Sequence, residues 1–489
     1  MPSRSRAGLV SLGAAVPVCA ALLAACSAES GRDGTSRTID GASGAGPALP
    51  EAPAPSAPSA GAPTNPGAGN EGFPDFGDVD DAPPADSPIA RTDCGSGPPT
   101  TVRSTIYDPA GRLPLYNVMV YVPSAALEPI VEGVSCDRCD TTASGQPVAA
   151  AITDPSGAFV MENVPDGTNI PLVIQMGKWR RQIVLPEVRP CQENVFDDRD
   201  RFRLPRDQSE GHLPKIAMTT GSADKLECLL RLIGVADSEF TTPDGPGRVN
   251  LYHETGTESL ASGPTLPAAT TLLGSTEQLS QYDVVILSCH GDSGYGREQP
   301  TPEKDAMKAY LDSGGRAFGS HFYFSYLRAD DDNHLATPFP DVGVWDGDAP
   351  DTYSITTNFP KGQAFAEWLV NVGASPTLGS IALESVEGAA SVLDTPYTQS
   401  WISAENSVPY FSLALPIEKV ATPDEQCGRL VHTGIHVSEG EESPFPSGCD
   451  ESRELTPQEM ALEFLIFDLS ACPSDLAEPP VPPPVVDPR

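Results

Sequence analysis

The hydrophobic pattern of the chain changes once, near Pro214, and this change constrains the fold most strongly. Between residues 94 and 206, short runs that alternate apolar and polar residues are separated by turn sequences, a pattern typical of antiparallel strands. From residue 207 to residue 472, short apolar runs alternate with segments of helical periodicity. This second pattern favours an open, mostly parallel sheet covered by helices. The sequence therefore predicts a small all-β sandwich followed by an α/β domain.

Two turn sequences of the same kind mark the first domain. Residues 108–111 read DPAG and residues 154–157 read DPSG, with Asp, Pro and Gly at the positions that a type I turn favours. They lie in the stretches YDPAGRLPLYNVMVYVP and ITDPSGAFVMENVPDGT. These stretches resemble the carboxypeptidase regulatory-like domain, a transthyretin-like β-sandwich. The resemblance implies a structural or carbohydrate-binding module without catalytic residues.

The second domain begins with a strand and a helix. Leucines and an isoleucine recur at helical spacing from Leu226 to Ile233, and Gly234 ends the helix. Residues 284–287 read as a strand buried on both faces. The last helix, residues 457–469, is strongly apolar, and residues 456–459 (TPQE) predict a capping box at its start.

Three segments of this domain carry a family resemblance: QYDVVILSCHGD, AYLDSGGRAFGSHF and CGRLVHTGIHVS. They resemble the class I glutamine amidotransferase-like fold and, within it, the trehalose-utilisation type domain. In that family the strand after the Gly-Gly turn ends at an elbow that carries a nucleophilic cysteine. This chain has Ser320 and His321 there. The departure implies that amidotransferase activity is absent, because the thiolate nucleophile is missing.

The first residues have the parts of a secretory signal. Arg4 and Arg6 precede an apolar run of small residues, 7–25. The run ends in Leu-Ala-Ala-Cys26, which resembles the bacterial lipobox. The resemblance implies removal of residues 1–25, lipidation of Cys26, and, since Ser27 follows, an outer-membrane location in the cell envelope. The alternative is an ordinary cleavable signal with an incidental cysteine.

Two segments lack the residues needed for a core. Residues 26–93 consist mainly of Ala, Pro, Gly, Ser and Asp, a composition that predicts a disordered tether with a span on the order of 40 Å. Residues 473–489 are Pro-rich and acidic and predict a loose tail. The two folded domains are therefore expected to stand away from the membrane that holds the anchor.

Charge excludes one class of partner and suggests a ligand site. The net charge of −37 argues against nucleic acid. One basic stretch would grip an anionic sugar or lipid headgroup, with a tryptophan as stacking face: Lys178, Trp179, Arg180 and Arg181. The alternatives are an exposed strand edge or a patch that docks on the acidic second domain.

Eleven cysteines indicate an oxidising compartment. Nine remain after the signal and the anchor, so at least one thiol is unpaired. Cys136 and Cys139 have the spacing of a zinc knuckle or a redox pair, but they lack a second ligand pair and a following helix, which favours a local disulfide. Cys94 and Cys191 bracket the sandwich and are expected to join its ends. Two of Cys427, Cys449 and Cys472 are expected to pair and hold the last helix against the sheet. With Cys228 the four cysteines permit three connectivities, and the choice among them stays open.

Polar residues follow the ends of three predicted strands, where ligands of such sheets gather. They are Cys289, His290, Asp292, Ser320, His321 and His436. One hypothesis is a divalent metal site made by His290, Asp292, His321 and His436. Another is a hydrolytic pair of Ser320 and His436. The alternative is that these residues satisfy loop backbone, with Cys289 as the unpaired buried thiol.

Two functions follow from these patterns. Because no intact catalytic motif is present, the sequence favours a non-catalytic, membrane-anchored envelope lipoprotein that needs no cofactor and binds a glycan or an envelope protein. The competing hypothesis is a metal- or Ser-dependent hydrolase that acts on envelope material through the α/β domain, with a divalent metal as its cofactor.

Overall fold

A computed structural model describes most of the chain after residue 90: residues 91–136, 143–291, 301–328, 337–340, 342–393, 396–437, 443–450, 452–471 and 475–487. The predicted signal, the anchor at Cys26 and nearly all of the tether lie outside these ranges, as do Cys139, Asp292 and Cys472. Contacts place all of the described residues in one compact unit, Glu71–Arg489. None of the helices within these ranges has the length and apolar character needed to cross a membrane. The first and second domains denote the two regions distinguished by sequence, residues 94–206 and 207–472.

The first domain is built from seven strands in two sheets. They are β1 (Thr101–Thr105), β2 (Met119–Pro123), β3 (Pro147–Ile152), β4 (Ala158–Glu162), β5 (Gly167–Met176), β6 (Trp179–Val188) and β7 (Glu193–Val195). One sheet has the order β4-β1-β7 and the other the order β3-β2-β5-β6. Side chains from both sheets, such as Val102 and Phe159 in one and Val120 and Leu172 in the other, share one core. The region with alternating periodicity therefore forms strands, as predicted.

The second domain centres on a ten-stranded sheet. Its strands are β8 (Ile216–Thr220), β9 (Phe240–Thr241), β10 (Val249–His253), β11 (Val284–Leu287), β12 (Arg316–Ser320), β14 (Thr352–Ile355), β15 (Ser380–Ala382), β17 (Thr398–Ala404), β18 (Ser407–Leu415) and β19 (Gly428–Thr433). Their order is β15-β14-β17-β18-β19-β12-β11-β8-β10-β9. The short strands β13 (Gly343–Val344) and β16 (Val392–Leu393) pair separately.

The ten-stranded sheet is mixed. From β9 to β19 every neighbouring pair is parallel, whereas the pairs from β19 to β15 are antiparallel. The prediction of a mostly parallel sheet is therefore right for one half only. A two-residue connection, Glu405-Asn406, joins β17 to β18, and so short a link can only join antiparallel strands.

Within the described residues, six helices accompany this sheet: α1 (Leu226–Leu232), α2 (Thr270–Leu273), α3 (Thr276–Leu279), α4 (Thr301–Asp312), α5 (Pro360–Asn371) and α6 (Pro457–Ser470). Helix α6 is buried on nearly every side, as expected of a helix that is apolar all round. Its Phe464 stacks on Tyr116 of the first domain and lies 4.8 Å from Phe365 of α5 between ring centroids. The helix therefore packs against both domains.

The basic stretch lies in this contact region, and its tryptophan is not exposed. Trp179 begins β6 with only 2% of its surface exposed, and its ring packs edge-on against Phe467 of α6. The Nζ atom of Lys178 donates to Asp283 of the second domain at 2.6 Å. Arg180 and Arg181 donate to backbone oxygens within the first domain. The predicted stacking face is wrong because the tryptophan is buried; docking on the second domain, the alternative, fits these contacts.

Two of the disulfides lie within single domains. Cys94 bonds to Cys191 with a Cα–Cα distance of 5.4 Å, which confirms the pair expected to join the ends of the sandwich. Cys228 of α1 bonds to Cys449. The expectation that two of Cys427, Cys449 and Cys472 pair with each other is wrong, because Cys449 bonds to Cys228 and Cys427 bonds to Cys136.

A third disulfide joins the two domains. Cys136 bonds to Cys427, 291 residues further along the chain, so the predicted local bond between Cys136 and Cys139 is wrong. The reason is the position of the loop before Cys136, which leaves the sandwich and binds the second domain through a hydrogen bond from Val134 N to Ser280 O at 3.0 Å.

Candidate functional site

Three potential metal ligands meet in the second domain. One ligand atom from each of Cys289, His321 and His436 lies within 4.8 Å of the other two. The Sγ atom of Cys289 is 3.4 Å from Nδ1 of His321, and the ring centroids of the two histidines are 5.0 Å apart. The structure thus brings together two predicted ligands and a cysteine that the sequence placed only as an unpaired thiol.

The parallel strands account for this meeting. Cys289 follows β11, His321 follows β12 directly, and His436 follows β19. Strand β12 pairs in parallel with β11 on one side and with β19 on the other, so all three strands end at the same edge of the sheet. The group therefore lies where ligands of open α/β sheets bind.

His321 adopts an unusual backbone conformation. Its φ of +42° lies in the left-handed region that few side chains other than Gly, Asn and Asp adopt. Gly388 makes room for the imidazole, because a Cβ atom at that position would lie 2.3 Å from Cδ2 of His321. The sharp turn after β12 and the missing side chain at residue 388 together fix the ring beside Cys289.

Asp224 braces the segments that carry both histidines. It is fully buried, and its Oδ2 accepts a hydrogen bond from the Ser320 hydroxyl while its Oδ1 accepts one from Val437 N at 2.9 Å. Burial raises the pKa of Asp224 to about 7. The predicted hydrolytic pair of Ser320 and His436 is wrong, because the Ser320 hydroxyl donates to this carboxyl group instead.

Burial sets the protonation of the group. It lowers the pKa of His436 to about 4 and, together with the charges of neighbouring histidines, that of His321 to about 3. It raises the pKa of the Cys289 thiol to about 12. Both imidazoles are therefore neutral near pH 7, the form that binds metals. Nε2 of His436, a side chain that is 8% exposed, has no hydrogen-bond partner among the described residues.

The other two predicted ligands do not join this group. His290 is buried, and its ring stacks on Phe322 with 5.1 Å between centroids; it is not one of the residues whose ligand atoms meet. Asp292 lies outside the described residues. The predicted set of four therefore contributes two members to the cluster that the structure describes.

The sequence patterns did not identify His432, which holds the backbone of His321 in place. His432 is buried on β19, and its Nε2 donates to the backbone oxygen of His321 at 3.1 Å. Burial lowers the pKa of His432 to about 4, so the ring is neutral near pH 7. The signal for it is its position four residues before His436 in the same strand and turn.

The distance between Cys289 and His321 fits a tetrahedral transition metal. Zinc bonds of about 2.3 Å to sulfur and about 2.0 Å to nitrogen place the two donor atoms about 3.5 Å apart, close to the 3.4 Å between Cys289 and His321. Thiolate and imidazole ligands suit zinc or copper, whereas calcium and magnesium prefer oxygen. Three such ligands leave one coordination position for water or another ligand.

Comparisons with known proteins show only weak likeness. No protein-family model matches the chain, and no curated protein matches it significantly. Among solved structures, a cytoplasmic protein of Salmonella typhimurium is 14% identical with a TM-score of 0.27, over 53% of this chain and 100% of that one. A putative ThuA-like protein of Bacteroides uniformis is 13% identical with a TM-score of 0.23, over 51% and 88% of the two chains. Scores this low say nothing about activity.

Proposed function

We propose that the chain is a lipid-anchored protein of the bacterial cell envelope whose second domain carries a metal-dependent hydrolytic site. The observation that carries this proposal is the meeting of Cys289, His321 and His436 at the carboxyl edge of three parallel strands. A zinc ion with three protein ligands and an open position is typical of catalytic rather than structural sites, and it supplies an activated water for hydrolysis.

The state of Cys289 supports a ligand role. Six described cysteines form disulfides, whereas Cys289 is a buried free thiol. Ordinary packing accounts for a buried thiol, since free cysteine behaves as a small apolar residue. It does not account for two neutral imidazoles whose ligand atoms lie within 4.8 Å of that thiol and of each other, whereas a soft metal does.

The proposal includes a cellular location and a domain architecture. The location is the outer membrane, with a lipid anchor at Cys26 and residues 26–93 as tether, and it is supported by the signal and lipobox patterns. The architecture is a carboxypeptidase regulatory-like sandwich followed by an amidotransferase-like domain. In that family the elbow after the Gly-Gly turn carries the nucleophile, and here the elbow residue is His321. Its left-handed φ directly after β12 supports this correspondence.

A purely binding function competes with this proposal. The basic stretch is one candidate surface for a glycan or protein partner. Lys178 is paired with Asp283 and Trp179 is buried, which argues against a stacking contact there. The two functions differ in one measurable property, which is whether the cluster of Cys289 and the two histidines holds a metal that the activity requires.

The test is zinc content and hydrolysis by the full-length mature protein purified in detergent. We expect about one zinc per chain after dialysis, and loss of that zinc in Cys289→Ser and His321→Ala. His253→Ala is the matched control, because His253 ends β10 at the same edge of the sheet but is outside the cluster. Hydrolysis is followed with chromogenic ester and phosphoester substrates before and after chelation.

The outcomes separate the parts of the proposal. Zinc that persists in Cys289→Ser and His321→Ala, or a protein that takes up no transition metal, would show that the cluster is not a metal site. If zinc is lost in the cluster variants but no hydrolysis is sensitive to chelation, the metal site stands and the proposal of a hydrolytic enzyme is rejected. The chain would then be a metal-binding protein of the envelope.

A further inference from the structure

A cavity lies at the opposite edge of the sheet from Cys289. It has a volume of about 230 Å³. Its lining includes two arginines and several polar side chains: Arg316, Arg429, Tyr397, Thr398, Gln399 and Ser412. Arg316 begins β12 and Ser320 ends it, so the cavity is about 13 Å from the metal cluster at a rise of about 3.3 Å per residue.

The cavity borders a cluster with an excess of positive charge. Lys361 donates to Oδ1 of Asp468 at 2.6 Å, and Arg429 donates to Oδ2 of the same carboxylate at 3.1 Å. Arg316, which is 8% exposed, donates to the backbone oxygen of Ser470 at 2.8 Å. It forms no ion pair with any carboxylate in the described part of the chain. Two carboxylates, Asp283 and Asp468, act on the charge of Arg316. Both already pair with other cations: Asp283 with Lys178, and Asp468 with Lys361 and Arg429.

This excess is costly without an anion. Burial, with repulsion from Arg429, lowers the pKa of Arg316 to about 10, so the guanidinium stays charged at neutral pH. A buried cation is only partly compensated when the carboxylates near it already pair with other cations, and an anionic ligand would stabilise it. Asp475 also lines the cavity, but it pairs with neither arginine among the described residues. The positive charge of the two arginines would therefore attract an anionic ligand to the cavity.

We propose that this cavity binds the carboxylate of a small hydroxy acid, of the size of one sugar-acid residue. A guanidinium matches a carboxylate with two parallel hydrogen bonds, and Arg316 and Arg429 supply that group. The side chains of Tyr397, Thr398 and Gln399 suit the hydroxyl groups of such a ligand. The volume is below the 300 Å³ or so at which drug-sized pockets begin, which limits the occupant to a single small unit. The site is separate from the metal cluster and does not depend on it.

Isothermal titration of the full-length protein with D-glucuronate tests the proposal. D-Glucuronamide, which keeps the hydroxyls and loses the charge, and acetate, which keeps the charge and loses the hydroxyls, are the matched ligands. We expect glucuronate to bind and both comparison ligands to bind at least tenfold more weakly.

Two variants place the binding in the cavity. Ala414→Phe fills it from β18 and leaves both arginines in place, since Ala414 lines the cavity. Arg429→Gln removes one anion contact. Both are expected to weaken glucuronate at least tenfold, whereas Arg103→Gln, which removes an exposed arginine of β1, leaves it unchanged.

Several results would overturn the inference. They are absence of glucuronate binding at millimolar concentration, equal binding of glucuronamide, tighter binding of sulfate, and unchanged affinity in Ala414→Phe. Acetate as tight as glucuronate would reject the hydroxy-acid class. If Arg429→Gln does not fold, the affinity of Ala414→Phe for glucuronate tests the inference alone. Ala414→Phe is expected to keep the zinc content of the unmodified protein, so a loss of glucuronate binding would not reflect damage to the metal site.

Discussion

Asp224 connects two chain segments that are more than a hundred residues apart. Its carboxyl group binds Ser320, which precedes His321, and Val437, which follows His436. Residues that orient metal ligands from behind are important for metal affinity, because they hold the ligand rings in the geometry that the ion requires. At the scale of single residues, Asp224 is thus the main support of the cluster.

Replacement of Asp224 by alanine is expected to weaken zinc binding by about 10- to 100-fold. Asp224→Asn is expected to have a smaller effect, because its amide oxygen still accepts from Val437 N and its NH₂ group donates to the Ser320 oxygen. Competition with a chromophoric chelator measures both affinities, and circular dichroism confirms the fold. An affinity in Asp224→Ala equal to that of the unmodified protein would contradict the bracing role.

A second residue-scale prediction concerns Glu463 of α6. It is fully buried, and neither of its carboxyl oxygens has a hydrogen-bond partner among the described residues. Burial, reinforced by the charge of Asp108, raises the pKa of Glu463 well above its ordinary value. Above about pH 4.5, the unfolded chain loses a proton that the folded chain keeps, so this residue makes the protein less stable as pH rises towards the raised pKa.

Glu463→Gln removes this titration. The free energy of unfolding of the variant, relative to the unmodified protein, is therefore expected to rise between about pH 5 and about pH 8. Urea unfolding at both pH values measures the difference. A relative stability that stays constant or falls over this range would show that Glu463 is not held in its protonated form.

Particular residues show how far sequence reasoning extends at this scale. The polar residues after β12 and β19 predicted that His321 and His436 lie close together, because parallel strands end at one edge. The choice between Cys289 and His290 was not predictable, since consecutive side chains of an extended chain point in opposite directions and both residue types bind metals. Asp224 belongs to no motif, and its role depends on contacts between distant segments.

At the scale of elements, helix α6 links local sequence to tertiary packing. The predicted capping box is present: the Thr456 side chain accepts from Glu459 N, and the Glu459 carboxylate accepts from Thr456 N at 2.9 Å. Arg453 binds the same carboxylate. The helix start is therefore fixed by local bonds, while its apolar surface is buried by both domains.

Thr456→Ala is expected to reduce the free energy of unfolding by about 1 kcal/mol, the usual cost of a lost N-cap. Thr352→Ala in β14 is the control, because Thr352 is exposed. Urea unfolding followed by circular dichroism measures both. A loss in Thr456→Ala no larger than that of the control would indicate that the capping box does not stabilise α6.

The antiparallel half of the large sheet shows a limit of sequence reasoning for elements. Strands β17 and β18 were not predicted, because their connection, Glu405-Asn406, lacks the Asn-Gly or Asp-Gly signal of a short hairpin. The basic stretch was misinterpreted for a related reason. Its charges predict exposure, but Trp179 starts β6 and its side chain points into the core.

At the scale of the whole molecule, the two domains are held together by several kinds of contact. The disulfide between Cys136 and Cys427 joins them covalently, and Trp368 of α5 donates to the backbone oxygen of Pro114 at 2.6 Å. The order of the strand-rich region and the region of mixed strands and helices was predictable from periodicity. Their docking was not, because it depends on the three-dimensional placement of loops such as the one before Cys136.

These contacts predict that the two domains unfold together. Tryptophan fluorescence and far-ultraviolet circular dichroism are expected to give one coincident transition. Replacing Cys136 and Cys427 by serine is expected to reduce the free energy of unfolding by about 3 kcal/mol, since the bond closes a long loop. Two separate transitions in the unmodified protein would mean that the domains are independent.

X-ray absorption spectroscopy of the zinc-loaded, full-length protein tests most directly whether Cys289 and the two histidines bind the metal. The account predicts one sulfur ligand at about 2.3 Å and nitrogen ligands at about 2.0 Å, with the sulfur lost in Cys289→Ser. A zinc shell of oxygen and nitrogen alone, or a sulfur ligand that remains in Cys289→Ser, would contradict the assignment of Cys289, His321 and His436 as the metal site.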